Sequence, residues 1–453
     1  MHPRRTLPLV AAAAVGALLT AALPLAQAST PTDAATAQAA ARETGSPVEV
    51  VSARTATSAT YANPDGSWSR TIRAAADTWI DSGSNKASQA TSPELRIGST
   101  NSGFTKARSY LTFDTAALAG IPSTTISSAA VTVSDFVTGS CAGSAIRMSR
   151  VTAAWSVTGL TWAKQPATTA TGSSTTKEAH GAAKCPAEGP MTFDATAILA
   201  AWAGGSANYG VQLKADSASS SAGFRKLRSL ENGDLAKAAT LSVTYDNAPV
   251  VPTDLAVAPG NEKYITSTTP TLSARVTDPD GGQARAHFQI YTQSTASLIW
   301  EDTSDWVTSG DVATLDVPEG VLTGEPVYVA AFADDGKLES ATAQVKAYRV
   351  DTVAPVVTIT ATGYTNGGWD PTPPTSNTFT LDGPSDTATF HLVIDGWYDV
   401  TAYPAASGSG DFSFAFAPAS GVHTVQATAT DKAGNVGPTA TFTFGAGVPV
   451  PAS

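Results

Sequence analysis

Two short basic runs hold the residue types that could bind an anion. They are Lys106-Ala107-Arg108 and Arg225-Lys226-Leu227-Arg228. A guanidinium can pair bidentately with a carboxylate, and an ammonium adds a compact positive charge. If the second run is a strand, alternation places Arg225 beside Leu227 on one face and Arg228 on the other. The runs favour an anion-binding site, and the alternative is an ordinary solvated strand face.

Aromatic side chains are the second candidate group, because flat rings can stack on the C–H faces of sugars. Tyr110 and Tyr209 fit a binding role and a core role equally well, whereas we expect Trp155, Trp162 and Trp202 in the core. The predicted ligand-binding residues are Arg108, Tyr110, Tyr209, Arg225 and Arg228. We expect the three arginines to line one exposed face beside the first tyrosine.

Catalytic motifs are absent from the sequence. None of the five histidines forms an H-E-x-x-H motif, and neither a G-x-S-x-G elbow nor a phosphate-binding loop occurs. Two carboxylates would suffice for a glycosidase, but no hydrolase motif accompanies the acidic residues. We predict a protein that is not an enzyme and has no cofactor. Calcium on Asp77 or Asp81 is the alternative, although the D-x-D-x-D-G spacing of calcium loops is missing.

Charge is distributed unevenly along the chain, whose formal net charge is −11. Residues 71–246 hold 15 Lys+Arg against 12 Asp+Glu, whereas residues 247–453 hold 7 against 22. The acidic second half makes nucleic acid an improbable partner. The mildly basic segment 71–246 is compatible with an anionic ligand, although the electrostatic field from this small excess of positive charge is weak.

The N-terminus has the features of a secretory signal peptide over residues 1–28. Arg4 and Arg5 precede an apolar stretch, and Ala26-Gln27-Ala28 fits a cleavage site between Ala28 and Ser29. No later stretch is apolar enough to span a bilayer. We therefore expect a soluble protein that is secreted to the extracellular space. The oligomeric state and any attachment to the cell wall stay open.

The chain has two cysteines, Cys141 and Cys185. A lone pair in an exported protein usually forms one disulfide, and the alternative is two free buried thiols. Because no C-x-x-C spacing occurs, the pair does not indicate zinc.

Strands separated by turn signals predict an all-β protein of several domains. The motif T-F-D recurs at 112–114 and 192–194, each time with an aspartate placed to cap the following turn. The one convincing helix is 195–203. The predicted segments are a disordered Ala/Thr-rich linker at 29–46, a leader β-hairpin at 47–72, a main domain at 73–246, and two domains at 250–350 and 353–445.

An ordered series of short motifs in the main domain resembles a known family. It comprises Ala76-Asp77-Thr78-Trp79-Ile80, Glu94-Leu95-Arg96-Ile97-Gly98, residues 108–114, residues 151–156, residues 160–166 and residues 208–213. The series is similar to the DNRLRE domain, also called carbohydrate-binding module family 96, over about residues 73–246. The resemblance implies a secreted jelly-roll-like β-sandwich and a polysaccharide ligand, in some relatives an acidic one such as alginate.

The two later domains resemble bacterial Ig-like or fibronectin type III-like repeats, on the basis of their length and the run Asp431-Lys432-Ala433-Gly434-Asn435. Such repeats usually act as spacers. The leader hairpin is similar to segments that open wall-associated proteins with RHS repeats, although no such repeats follow here. We predict a jelly-roll-like β-sandwich followed by two immunoglobulin-like β-sandwiches.

The preferred functional hypothesis is a secreted, non-catalytic protein that binds polysaccharide or cell-wall glycan through its first sandwich. One alternative is a structural or adhesive surface protein without a sugar ligand. Another is a fragment of a larger RHS-type secreted protein.

Overall fold

A computed structural model describes residues 33–142, 144–372, 377–406 and 408–448. The predicted signal peptide and its cleavage site at Ala28 and Ser29 lie outside these residues. No helix in the described part is long and apolar enough to cross a membrane. The chain divides into two compact units, the first containing residues 46–63 and 67–246, the second residues 34–45, 64–66 and 247 onward.

Strands dominate the described residues, which contain only two α-helices, α1 Ala34–Thr44 and α2 Thr196–Ala203. The strands of the first unit are β1 Val48–Glu49, β2 Ser58–Ala62, β3 Trp68–Asp81, β4 Glu94–Thr100, β5 Thr105–Phe113, β6 Ile126–Thr138, β7 Ile146–Val151, β8 Thr168–Thr176, β9 Gly189–Asp194, β10 Val211–Ala215, β11 Arg225–Arg228 and β12 Thr240–Tyr245. Those of the second unit are β13 Thr253–Ala258, β14 Tyr264–Ile265, β15 Thr271–Arg275, β16 Gln283–Thr292, β17 Leu298–Thr303, β18 Val307–Thr308, β19 Val312–Asp316, β20 Val327–Asp334, β21 Gln344–Val350, β22 Thr358–Ala361, β23 Trp369–Asp370, β24 Thr378–Asp382, β25 Thr387–Ile394, β26 Tyr398–Ala402, β27 Phe412–Ala415, β28 Gly421–Asp431 and β29 Ala440–Ala446.

The first unit is a β-sandwich whose two sheets share β3 and β4. The first half of β3 pairs with β2 and β12, and its second half pairs with β5. Likewise β4 pairs first with β11 and then with β5. The first sheet also contains β1, β6 and β9, and the second sheet continues from β5 through β10 and β7 to β8.

One hydrophobic core fills the space between these sheets, with Trp79, Leu111, Phe113, Phe193 and Leu227 among its members. Alternation along each strand sends one set of side chains into this core and the other outward. Each sheet therefore has an outer face on which a binding site could lie.

Two aspartates close strand ends in the way the repeated motif predicts. Asp114 accepts a hydrogen bond from the backbone N–H of Ala116 at 3.0 Å, at the start of a 3-10 turn. Asp194 accepts one from Thr196 N–H at 2.9 Å, where α2 begins. Each carboxylate satisfies a backbone donor that the turn would otherwise leave without a partner.

The disulfide joins Cys141 to Cys185, with Cα atoms 5.3 Å apart. It closes the loop after β6 onto the loop before β9, across a sequence separation of 44 residues. The predicted pairing is present in the structure.

Residues 34–44 form helix α1, so the prediction of a disordered linker is wrong for this stretch. Alanine has the highest helix propensity of any residue, but an isolated helix of 11 residues is marginal in water. Tertiary packing provides the remaining stability of the helix, because Ala37, Gln38 and Ala41 are buried. Arg42 lies over the ring of Trp306, its guanidinium carbon 3.5 Å from the ring centroid.

The second unit contains two sandwiches with the same arrangement of strands. In each, a three-stranded sheet faces a larger sheet, β13-β15-β19 in the first and β22-β24-β27 in the second. The larger sheet of the last sandwich has the order β23-β29-β28-β25-β26, which leaves β26 at an edge. Each sandwich has its own hydrophobic core. The predicted all-β fold class is confirmed.

Candidate functional site

The outer face of the second sheet of the first unit carries basic side chains on three neighbouring strands. On β5, Ala107 and Leu111 point into the core, so Lys106 and Arg108 point outward. Lys214 of β10 pairs with Arg147 of β7 in the antiparallel ladder. We call Lys106, Arg108, Lys214 and Arg147 the basic row.

The ladder pairs Lys214 directly with Arg147. Leu213 pairs with Ser109, so Lys214 and Arg108 lie next to this pair on neighbouring strands. Like charges placed directly opposite on neighbouring strands destabilise a sheet. Of the row, Arg147 has an ion pair, with Asp216. Among the described residues, neither Arg108 nor Lys214 has a carboxylate within ion-pair distance. Lys214 still interacts electrostatically with Asp216, so this one carboxylate partly offsets the positive charge of the row.

A hydrogen-bonded network holds Arg108 in position. Its Nη1 donates to Gln165 Oε1 at 2.6 Å, and its guanidinium carbon lies 5.0 Å from the ring centroid of Trp162. Gln165 Oε1 also accepts from the Tyr110 hydroxyl at 2.9 Å, and Gln212 donates to that hydroxyl at 2.6 Å. Because Gln165 stabilises the arginine without cancelling its charge, the guanidinium is fixed and still cationic.

Two cavities lie beside the basic row. The first, of about 450 Å³, is lined by Phe104, Lys106 and the loop at 216–219. The second, of about 370 Å³, is lined by Trp155, Gln165 and residues around them. Lys106 and Arg108 are neighbours on the same face of β5, about 7 Å apart. Since Lys106 lines the first cavity and Arg108 bonds to Gln165 of the second, the row joins them into an extended site.

Hydrogen bonds and burial shift the pKa values of the ionisable groups on this face. A hydrogen bond from Arg147 lowers the pKa of the Asp216 carboxyl, and the same contact raises the pKa of Arg147. Burial raises the pKa of the Tyr110 hydroxyl, against the opposing effects of Gln212 and Arg108. Tyr110 therefore stays neutral and acts as a hydrogen-bonding support for the row.

The expectation that Arg225 and Tyr110 are exposed beside each other is wrong, because both side chains are 0% exposed. Arg225 shares the inward face of β11 with Leu227, as alternation predicts. Its guanidinium lies 3.5 Å from Asp135 and donates to the carbonyl oxygens of Ala222 and Phe224. Tyr110 is covered by the loop that carries Trp155, whose ring centroid lies 5.4 Å away.

The structure also separates Arg228 from Arg108. Arg228 points outward from β11 in the first sheet, where it pairs with Glu188 at 2.8 Å and lies over Phe136. The outer faces of the two sheets lie on opposite sides of the core, so the expected common face of three arginines does not exist. Tyr209 is half-buried, and its carbonyl oxygen accepts from Trp155 Nε1 at 2.8 Å.

Sequence reasoning missed three residues of the site, Phe104, Lys214 and Arg147. Phe104 is 87% exposed at the end of the β4–β5 connection. A single aromatic residue in a Gly/Ser-rich loop has no periodicity to mark it. Lys214 and Arg147 stand alone in the sequence, and only the pairing of β10 with β7 brings them together. Of the expected core tryptophans, Trp202 is buried, whereas Trp155 and Trp162 are partly buried.

The aspartates considered for calcium already serve backbone contacts. Asp81 accepts from the N–H groups of Gly83 and Asn85, and Asp77 accepts from Leu230 N–H. Calcium at these positions stays an untested alternative. Within the described residues, the one acidic group with ligand atoms within 4.8 Å of one another consists of Asp351, Asp386 and Asp431. Asp431 already accepts from two backbone N–H groups and one side-chain amide.

The comparison with protein families matches the sandwich that carries the basic row, except for its strands β1 and β2. Residues 69–245 match the model of carbohydrate-binding module family 96. The predicted resemblance over about residues 73–246 is confirmed. We call residues 69–245 the family 96 module. The match indicates carbohydrate binding for this module.

Solved structures match more weakly. Fibronectin(III)-like modules of Clostridium thermocellum CbhA are 15% identical, with a TM-score of 0.26 and coverage of 43% of this chain and 94% of that one. The chicken CNTN1 FN1–FN3 domains are 10% identical, with a TM-score of 0.28 and coverage of 49% and 79%. A glycoside hydrolase domain, Endo-D from Streptococcus pneumoniae R6, is 10% identical, with a TM-score of 0.17 and coverage of 64% and 34%. These TM-scores carry no functional argument. No curated protein matches the sequence.

Proposed function

We propose that the chain is a secreted, non-catalytic glycan-binding protein whose family 96 module binds an anionic polysaccharide along the basic row. The two sandwiches of the second unit act as spacers. The ligand is a polymer of uronic acids or a similarly charged cell-wall glycan, and alginate is the representative probe.

One observation carries the proposal, namely that Lys106, Arg108 and Lys214 lie on one outer face and, among the described residues, have no carboxylate within the 4.0 Å of an ion pair. Extended polymers need extended sites, and the row joins two cavities along the strand direction. Phe104 and Trp155 add aromatic surface beside the charges, which suits sugar rings.

The alternative function is structural, in a surface protein whose family 96 module has no sugar ligand. The partly buried Trp155 and Trp162 favour it, because they pack against the cluster that contains Tyr110 and are less available for stacking. A fragment of a larger RHS-type protein is a further hypothesis that gene neighbours would test.

Retention of the full-length protein on immobilised alginate distinguishes these functions. We expect retention at about 0.1 M salt and release at about 1 M, because the Debye length falls from ~10 Å to ~3 Å. Polygalacturonate should behave in the same way. Passage through both columns at low salt would favour the structural alternative.

A further inference from the structure

The last sandwich carries exposed aromatic side chains along its edge strand β26. Trp397 is 75% exposed, Tyr403 67% and Tyr398 45%. Single exposed apolar residues are ordinary on protein surfaces. Trp397 and Tyr403 instead flank one strand of five residues, whereas Tyr398 shares the inward face of that strand with Val400 and Ala402. At ~3.4 Å per residue this strand is about 17 Å long, enough for more than one sugar ring between the outer aromatics.

The turn that presents Trp397 is fixed by its aspartate. Asp395 and Gly396 have φ of 53° and 74°, as the central residues of a type I′ turn require. The Asp395 carboxylate accepts from Thr424 N–H at 2.8 Å and lies 2.7 Å from His423 Nδ1. The indole therefore stands on an ordered turn, and ligand binding would cost little backbone entropy.

Polar side chains occupy the outer face between the aromatics. Val400 packs against the core and Ala402 belongs to it, so Asp399 and Thr401 point outward. His391 pairs with Thr401 across the ladder, and its Nε2 lies 2.7 Å from Asp399 Oδ1. All three outward side chains are exposed. They offer donors and acceptors for sugar hydroxyls next to rings that can stack.

The charge of this sandwich excludes an acidic ligand. Residues 353–445 contain seven aspartates, one lysine, and neither glutamate nor arginine. An anionic polymer would be repelled. Asp395 and Asp399, which lie near the exposed aromatics, already have histidine partners, so they do not require a cationic ligand either. An uncharged ligand fits best.

We propose that Trp397 and Tyr403 form a second glycan site, which binds an uncharged polysaccharide chain by ring stacking. We call these two residues the aromatic strip. The strip lies in a different sandwich from the basic row, and the proposal does not depend on the function proposed for the family 96 module. The strip would make the last sandwich a binding module in addition to a spacer.

Depletion of the full-length protein by microcrystalline cellulose and by chitin tests the proposal. The variant combines Trp397→Ala with Tyr403→Ala, and Tyr328→Ala serves as a matched control, since that residue is 38% exposed on β20 of the other sandwich. We expect the parent and control to bind at least one polymer equally well at low and high salt. The double variant should bind roughly tenfold more weakly, since each stacking contact contributes about 0.5–1.5 kcal/mol.

Several results would overturn the proposal. One is failure of the parent protein to bind either polymer, and another is equal binding by the double variant with an unchanged unfolding temperature. If sedimentation shows a dimer that the double variant loses, while neither protein binds polymer, the strip pairs two copies of the chain instead. Loss of polymer binding on removing Lys106 and Arg108 would assign the activity to the family 96 module.

Discussion

Replacing Arg225 by methionine separates a structural role from a ligand-binding role for this residue. The change keeps much of the side-chain volume but leaves the buried Asp135 without its cation. Burial already raises the pKa of that carboxyl to about 6. The carbonyl oxygens of Ala222 and Phe224 would also lose a charged donor. Breaking a buried pair from one side costs about 3–5 kcal/mol.

Scanning calorimetry of the full-length protein measures the effect. For a module of this size, 1 kcal/mol shifts the unfolding temperature by roughly 2–4 °C. We therefore expect the transition of the first unit to fall by about 10 °C, while the transition of the second unit stays in place. Arg228→Met is the matched control, because its ion pair with Glu188 is partly exposed and contributes at most about 1 kcal/mol.

A companion variant checks the cause of the loss. Changing Asp135 to asparagine together with Arg225→Met removes both charges, so much of the lost stability should return. An unfolding temperature unchanged by Arg225→Met, together with weaker alginate binding, would refute the structural role and restore Arg225 to the ligand site.

Three further effects follow from individual contacts. Burial raises the pKa of Asp77 to about 7, so the folded state binds more protons than the unfolded chain between pH ~4 and 7, and the free energy of unfolding falls as pH rises through that window. Asp77→Asn should remove this decline, which amounts to roughly 4 kcal/mol in all. A pH profile of unfolding that the substitution leaves unaltered would contradict this. Serine at Cys141 and Cys185 should destabilise the first unit by about 4 kcal/mol, given the 44-residue separation, and a non-reducing digest of the parent should contain the linked peptide. Arg42→Ala removes the guanidinium from Trp306 and should speed amide exchange throughout α1; unchanged protection would show that the stacking is dispensable.

The fold could be predicted largely because strand signals are local. The alternation at residues 225–228 correctly gave the side chains that share a face, since the observed burial alternates along β11. It could not tell which face is buried. That Arg225 lies in the interior depends on Asp135 of β6, a partner distant in the sequence. A long-range pairing of this kind leaves no local signal.

The site was harder to predict for the same reason. Arg108 was identified from its basic run, but Lys214 and Arg147 meet it only through the pairing of β5, β10 and β7. Phe104 lies in a loop without a pattern. Helix α1 was missed because its alanine-rich sequence is compatible with both a linker and a helix, and only packing decides between them.

Calorimetric titration of the full-length protein with alginate oligosaccharides tests the central claim most directly. One variant removes charge from the basic row, and a control removes the same charge elsewhere in the first unit. The first is Lys106→Ala with Arg108→Ala and Lys214→Ala; the control is Arg54→Ala with Arg73→Ala and Lys237→Ala. Each exposed ion pair contributes at most about 1 kcal/mol, so three together correspond to a loss of about tenfold to a hundredfold. We predict that loss for the first variant, with the control close to the parent. Equal affinity in all three proteins would contradict the assignment of the basic row as the glycan site.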